Sequence, residues 1–347
     1  MIMKKALLLF FILIAYTRMD VQAQQPEHTP VYLSNYTLPA KGDVIGIIHT
    51  KAGTIKSVKL TGAYVNAFKI SKDYTLSVRR DRLPDAPVFD VNATVTTTAG
   101  EQKVSFRIVR DAFIQNRVIA HRGAWKNTGV PENSIAALNH AIRLGCMGSE
   151  FDVHMTADSV LVVNHDEKLQ GFSIAQNKAA DLLALKLANG EEMPTLESYL
   201  KAGVVQTKTK LILEVKKSEL GKESSLALTR KVVALVEKLH AQAWVEYISF
   251  DYDVCKEIMA LAPYARVAYL NGEKTPAELA ADKFFGFDYH FSVLQKNPAW
   301  ITEAKQHHLT TNVWTVNDQV LMQTLLEQGI DFITTNEPEL LLSLIKR

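Results

Sequence analysis

Cysteine is nearly missing from this chain, with two in 347 residues. That excludes a disulfide framework. Cys146, just ahead of a predicted strand, and Cys255, inside a predicted helix, read as two separate buried thiols in a protein large enough not to need a staple. Net charge is scarce too: a formal +2 creates no field to gather nucleic acid or a strongly acidic partner. No long apolar run occurs beyond the N-terminus, so no later segment supplies a membrane span. Neither an internal repeat nor a low-complexity tract occurs. With 47% hydrophobic and 22% charged residues, the composition is ordinary for a globular protein of two domains.

The N-terminus is the exception. Lys4-Lys5, the apolar run Ala6 to Ala15 and the small-residue site Val21-Gln22-Ala23 read as a secretory signal peptide over residues 1–23, cut near Ala23. The run is too short for a permanent span, and no cysteine near the cut would take a lipid. A soluble, exported protein is expected, periplasmic in style, with secretion beyond that compartment left open.

Residues 24–113 read as an all-β domain. Runs at 44–48, 55–60, 75–78, 88–97 and 102–109 are β-rich and separated by Gly, Asp, Asn and Pro, which predicts a small sandwich. Their order resembles a cadherin-type repeat, but the paired acidic motifs of interdomain calcium sites are missing, so no metal is expected here. The domain reads as a spacer that stabilises the larger C-terminal part, with docking or substrate presentation as the alternative and its partner unknown. From 117 to 347 strands alternate with helices. Strands are predicted at 117–121, 148–153, 211–216, 246–250, 266–270, 287–291, 311–316 and 331–334, with helices such as 133–144, 223–240, 297–307 and 318–328. Eight such units predict a (β/α)8 TIM barrel, with its active site at the carboxyl ends of the strands.

The chemistry-bearing residues fall at those ends. Glu150 and Asp152 sit at i and i+2 of one strand, so both leave the same face and can chelate one ion. Glu214 and Lys216 share a face of the next, in a run otherwise apolar. A barrel interior is a costly place for unpaired charge, so a third carboxylate ligand with a phosphate-neutralising ammonium explains them better than a buried ion pair. His121 closes the first strand, and Arg122-Gly123 after it combines a forked donor with a residue that lets the chain bend. A hairpin turning near Ala157-Asp158 is expected to bring His165 opposite Glu150. Asn133 reads as a helix N-cap, Glu132 as a partner of His121, Arg122 or the metal, and Trp314 as an apolar wall. His154, His290, His307 and His308 have no evident convergent partners.

These motifs carry a family resemblance. Ile119-Ala120-His121-Arg122-Gly123, Pro131-Glu132-Asn133-Ser134, Glu150-Phe151-Asp152-Val153, Val163-Asn164-His165-Asp166, Pro194-Thr195-Leu196-Glu197, Leu213-Glu214-Val215-Lys216, Ser249-Phe250-Asp251 and Val313-Trp314-Thr315-Val316-Asn317 resemble, in order, the glycerophosphodiester phosphodiesterases. The resemblance implies acid-base roles for His121 and His165, phosphate binding by Arg122 and Lys216, and one Ca2+ or Mg2+ on Glu150, Asp152 and Glu214. Asn336 stands where the family often has aspartate, and Leu169-Gln170-Gly171-Phe172 where it often carries arginine and threonines.

The implied reaction is hydrolysis of a small glycerophosphodiester to sn-glycerol 3-phosphate and an alcohol. The glycerol 2-hydroxyl attacks phosphorus to give a cyclic phosphate that water then opens, with direct attack by water as a second route. Which histidine acts as base is open. A phospholipase-like enzyme on lysolipids or phosphoinositides, and a non-catalytic envelope protein that binds phosphodiesters, are the alternatives.

Overall fold

The computed structural model describes residues 30–345, and the expected signal peptide lies outside the described residues. The N-terminal strands are β1 (Val31–Leu33), β2 (Thr37–Leu38), β3 (Val44–Thr50), β4 (Ile55–Thr61), β5 (Phe68–Ile70), β6 (Thr75–Val78), β7 (Val88–Thr97) and β8 (Gly100–Arg110). They form two sheets, ordered β1-β3-β6-β5 and β2-β8-β7-β4. Strict alternation on β7 turns Phe89, Val91, Ala93 and Val95 inward, where they meet Leu33, Ile48, Phe68 and Leu76 of the facing sheet. Period-two patterning thus places one apolar face of each sheet against the other.

The C-terminal part runs β9 (Val118–Ala120), α1 (Ile135–Leu144), β10 (Gly148–Met155), β11 (Leu161–Val163), β12 (Lys168–Leu169), β13 (Phe172–Ser173), α2 (Ala179–Leu183), α3 (Leu196–Gly203), β14 (Lys210–Val215) and α4 (Lys222–Lys238). It continues with β15 (Val245–Ser249), α5 (Tyr252–Leu261), β16 (Val267–Tyr269), α6 (Pro276–Ala281), β17 (Gly286–His290), α7 (Phe291–Lys296), α8 (Trp300–Gln306), β18 (Thr310–Trp314), α9 (Gln319–Glu327), β19 (Phe332–Thr335) and α10 (Pro338–Ile345). Among the described residues, eight parallel strands close a ring in the order β9-β10-β14-β15-β16-β17-β18-β19, with β11 paired outside it, antiparallel to β10. This is the expected TIM barrel behind a β domain. Side chains facing the helices are apolar: Phe151 stacks on Tyr199 of α3 at 4.3 Å, and Phe287 and Tyr289 are fully buried. Cys146 and Cys255 are both buried and free.

Two helix starts differ from expectation. The first helix begins at Ile135 rather than 133, because Asn133 adopts φ 58°, a left-handed conformation that cannot join a helix. The helix expected at 297–307 begins at Trp300, since Pro298 forces the preceding Asn297 out of the helical region (φ −129°, ψ 67°).

Candidate active site

Alternation on β10 turns Glu150 and Asp152 into the barrel, and parallel register sets Asp152 beside Glu214 of β14. Oxygens of all three carboxylates lie within 4.8 Å of one another, and all three residues are buried. Burial, then the other two acids, pushes Glu150 well above the usual carboxylate range. Burial and Asp152 push Glu214 up to about 7. Burial opposes ionisation of Asp152 too, but Lys216, His165, Asn133 and Arg122 outweigh it and hold that carboxyl below its ordinary value. Lys216 Nζ lies 2.9 Å from Glu214 Oε1 and 3.4 Å from Asp152 Oδ1. The donor set fits a hard divalent cation: three convergent carboxylate oxygens, crowded enough that two favour their protons, are relieved by a charge of +2.

Beside this cluster β9 ends in a strained turn. Arg122 (φ 56°) and Gly123 (φ 79°) are both left-handed, and the bend points the Arg122 backbone N–H at Glu150 Oε2, 2.8 Å away. A β-carbon on Gly123 would lie 2.7 Å from Ala137 Cβ and 2.8 Å from its carbonyl carbon, so α1 packs here only against glycine. Glu132 accepts a 2.8 Å hydrogen bond from Arg122 Nη1, one of the three partners the sequence allowed it. Arg122 Nε is buried with no hydrogen-bond partner, 3.9 Å from Asp152 Oδ2. An orphan guanidinium donor beside a cavity suits an incoming oxyanion.

Asn133 is not the N-cap. Ser134 is, accepting from Ala137 N, while the buried Asn133 amide donates to Asp152 Oδ2 (2.9 Å) and accepts from Asp152 N (3.2 Å). Positive φ frees its side chain from the helix to orient a carboxylate. The sequence supplied two adjacent capping residues and no means of choosing between them.

The two imidazoles are held differently. His121 donates through Nδ1 to Asn336 Oδ1 at 2.8 Å, which leaves the lone pair on Nε2, 4.0 Å from Glu150 Oε2. Burial and the Arg122 charge lower its pKa to about 4, against the opposing hydrogen bond to Asn336, so the ring is neutral at pH 7. Asn336 therefore sets the tautomer, a role its place in the sequence signalled only as a departure from the family pattern. His165 is one-third exposed and donates through Nδ1 to Asp166 Oδ1 at 2.8 Å. The hairpin reaches it by a different register: pairing centres on Asp158 and ends at Val153–Val163, so His165 sits on the loop beyond β11 rather than in a ladder opposite Glu150. His154, which had no evident partner, is buried and donates through Nε2 to the His165 carbonyl at 3.1 Å, steadying that loop.

His121, Arg122, Glu150, His165 and Glu214 line one cavity of about 170 Å³ together with Trp314. Trp314 donates through Nε1 to the Asp288 carbonyl (3.0 Å) and meets Phe250 edge-on at 5.4 Å, and both rings line the cavity. His290 also packs against Trp314, 5.2 Å between ring centres. The sequence assigned no site role to Phe250, Asp288 or Asn336, although Phe250 stands in one of the ordered motifs and Asn336 was marked as a departure. Alternation along β15 and β17 was the available signal for the first two, since it puts Ile248, Phe250 and Asp288 on the inner face.

Residues 121–340 match the profile of the glycerophosphoryl diester phosphodiesterase family. A glycerophosphodiester phosphodiesterase from Caldanaerobacter subterraneus subsp. tengcongensis is 28% identical over 248 residues, which is 66% of this chain and 98% of that protein. Among solved structures, a glycerophosphodiester phosphodiesterase from Parabacteroides distasonis is 43% identical with a TM-score of 0.65, covering 68% of this chain and 98% of the other. A phosphodiesterase from Oleispira antarctica, solved with the product sn-glycerol 3-phosphate, is 25% identical with a TM-score of 0.56, covering 67% and 98%. With its acidic cluster, paired histidines and barrel in the matched region, the chain belongs to the glycerophosphoryl diester phosphodiesterase family and is an enzyme of that class.

Proposed function

We propose that this enzyme cleaves small glycerophosphodiesters to sn-glycerol 3-phosphate and an alcohol, using Glu150, Asp152 and Glu214 to hold one divalent cation, Ca2+ or Mg2+, and His121 and His165 as the acid-base pair. The observation that carries the reading is convergence: Glu150 and Glu214 of the acidic cluster, both imidazoles and Arg122, whose Nε has no partner, line one cavity, with Asp152 packed against the same two acids. The product seen in the Oleispira antarctica relative is of the same class. Bound to the acids, a cation supplies positive charge to the phosphate and makes a nearby hydroxyl easier to deprotonate. The chain's own groups do the rest.

Neutral His121, its Nδ1 committed to Asn336, takes the proton of the glycerol 2-hydroxyl on Nε2 as that oxygen attacks phosphorus. His165, aligned by Asp166, protonates the departing alcohol oxygen, and a cyclic phosphate results. Water then opens the ring as His165 takes a proton and His121 returns one. Arg122 Nε and Lys216 Nζ face charge that grows on the non-bridging oxygens, where fixed donors count most. We further place the enzyme in the periplasm, on the strength of the basic, apolar and small-residue segments before Gln24.

The test is release of glycerol 3-phosphate from several glycerophosphodiesters, with and without chelator, by the native chain and by His121→Ala. Chelation abolishes turnover. The variant keeps the native circular dichroism spectrum and loses about a hundredfold or more in kcat; full activity in it removes His121 from the chemistry.

A further inference from the structure

Asp288 lies in the inner layer of β17, only 2% exposed, and it lines the cavity. Its Oδ1 has no hydrogen-bond partner. The neighbouring groups give this oxygen no partner: Ile248 and Leu270 are apolar, and the Asn312 amide beside it on β18, which donates to Thr334 Oγ1 at 2.9 Å, offsets the burial of the carboxyl only in part. A buried carboxyl oxygen left unpaired costs stability that an aliphatic side chain would not. The fold gains nothing from it, so the gain lies in what enters the cavity. Its position is fixed, because the Asp288 carbonyl accepts from the Trp314 indole at 3.0 Å, tying the acid to the cavity wall.

Ring order supplies the direction. β17 stands four strands from β10 either way round the barrel, so Asp288 faces the Glu150 and Asp152 strand from across the mouth. Glu150, Glu214 and Asp288 line the same cavity, so a ligand with its phosphate at the acidic cluster and its carbon chain lying across that cavity would reach β17. Resting on the reading above that the substrate carries a glycerol phosphate unit, we infer that Asp288 is the residue that recognises the terminal glycerol hydroxyl, the one farthest from phosphorus, and so selects glycerol over shorter or deoxygenated alcohols. Burial also raises the pKa of this carboxyl to about 8, against the opposing pull of the Asn312 amide. A neutral acid offers a hydroxyl both a donor and an acceptor and offers a cationic head group little.

The test is calorimetric binding to the full chain with divalent cation present. The probes are sn-glycerol 3-phosphate, its 1-deoxy analogue propane-1,2-diol phosphate, and phosphoethanolamine; the proteins are parent, Asp288→Asn and Asp288→Leu. The parent prefers the glycerol ligand at least about tenfold over the deoxy analogue, because a site built for a hydroxyl rejects the ligand lacking it. Asp288→Leu abolishes that preference and Asp288→Asn keeps part of it. A merely structural role lowers affinity for both ligands in equal proportion and overturns the inference. So does a preference that survives in Asp288→Leu, or a selective loss of phosphoethanolamine, which would mark a cation site. Binding ratios need no turnover, so their failure is distinct from failure of the release assay.

Discussion

Gly123 concentrates the constraints on the site into one position. It must adopt φ 79° and leave room for Ala137, while its neighbour delivers the N–H that Glu150 accepts. Gly123→Ala is expected to cost roughly 2 kcal/mol or more, read as a lower urea midpoint; an unchanged midpoint would show that α1 moves aside freely. Lys216 governs the proton balance. Asp152 stays ionised against burial because of Lys216 first of all, and the same ammonium restrains Glu214. Cation affinity of the parent therefore falls as pH drops through about 7, where Glu214 takes up its proton. In Lys216→Met both carboxyls hold protons more tightly, so the fall begins at higher pH, as a titration of Mg2+ or Ca2+ affinity against pH would record. Asp288 has the opposite sign of coupling from a paired acid. Its folded pKa of about 8 lies above the ordinary 3.8, so the folded state binds the extra proton between those values and stability is lost as pH rises through that window. Asp288→Leu should melt above the parent at pH 7, with the gap narrowing toward pH 4; a gap independent of pH would deny the link to this carboxyl.

At the scale of elements, β10 and β14 do most to build the site. Their apolar faces bury Phe151, Val153, Leu211 and Leu213, and that burial supports three acids on the opposite faces. The segment between β9 and α1 divides two tasks between adjacent residues. Ser134→Ala should cost roughly 1 kcal/mol of stability by uncapping α1, with kcat little changed. Asn133→Ala should leave the helix start intact and depress kcat, because Asp152 loses its amide partner. If the two variants exchange these phenotypes, the assignment of cap and orienting residue is reversed. This division was illegible in the sequence because Asn and Ser are both good caps, and only backbone φ decides which one caps. The register of β10 with β11 was similarly ambiguous, since turn composition left the centre uncertain by one residue.

Across the whole molecule, the β domain and the active site occupy opposite ends of the barrel. Tyr264, in the connection from α5 to β16, packs edge-on against Tyr36 at 5.1 Å. Lys51 reaches the Leu261 carbonyl, Phe113 lies under Lys210 Nζ, and Ile114 N donates to the Lys208 carbonyl at 2.8 Å. All these barrel residues lie at or before the amino ends of strands, whereas the histidines and acids lie at the carboxyl ends. That placement favours a stabilising base over a module that presents substrate. Tyr264→Ala should cost roughly 2 kcal/mol in stability and leave kcat unchanged; a comparable loss of kcat would tie the domain to catalysis.

The sequence by itself determined the barrel and the β domain before it, and marked the acidic triad, both histidines, Arg122 and Lys216 as the candidate site. Each of these is legible from periodicity or from ordered motifs, which are local in the chain. Tertiary structure alone decided that Asn133 orients Asp152, that Asn336 fixes the His121 tautomer, that Phe250 and Asp288 line the cavity, and that the β domain docks on the far face. The His121–Asn336 contact alone joins residues 215 positions apart. Such contacts depend on strand order and ring closure, which bring together side chains whose meeting no local pattern encodes.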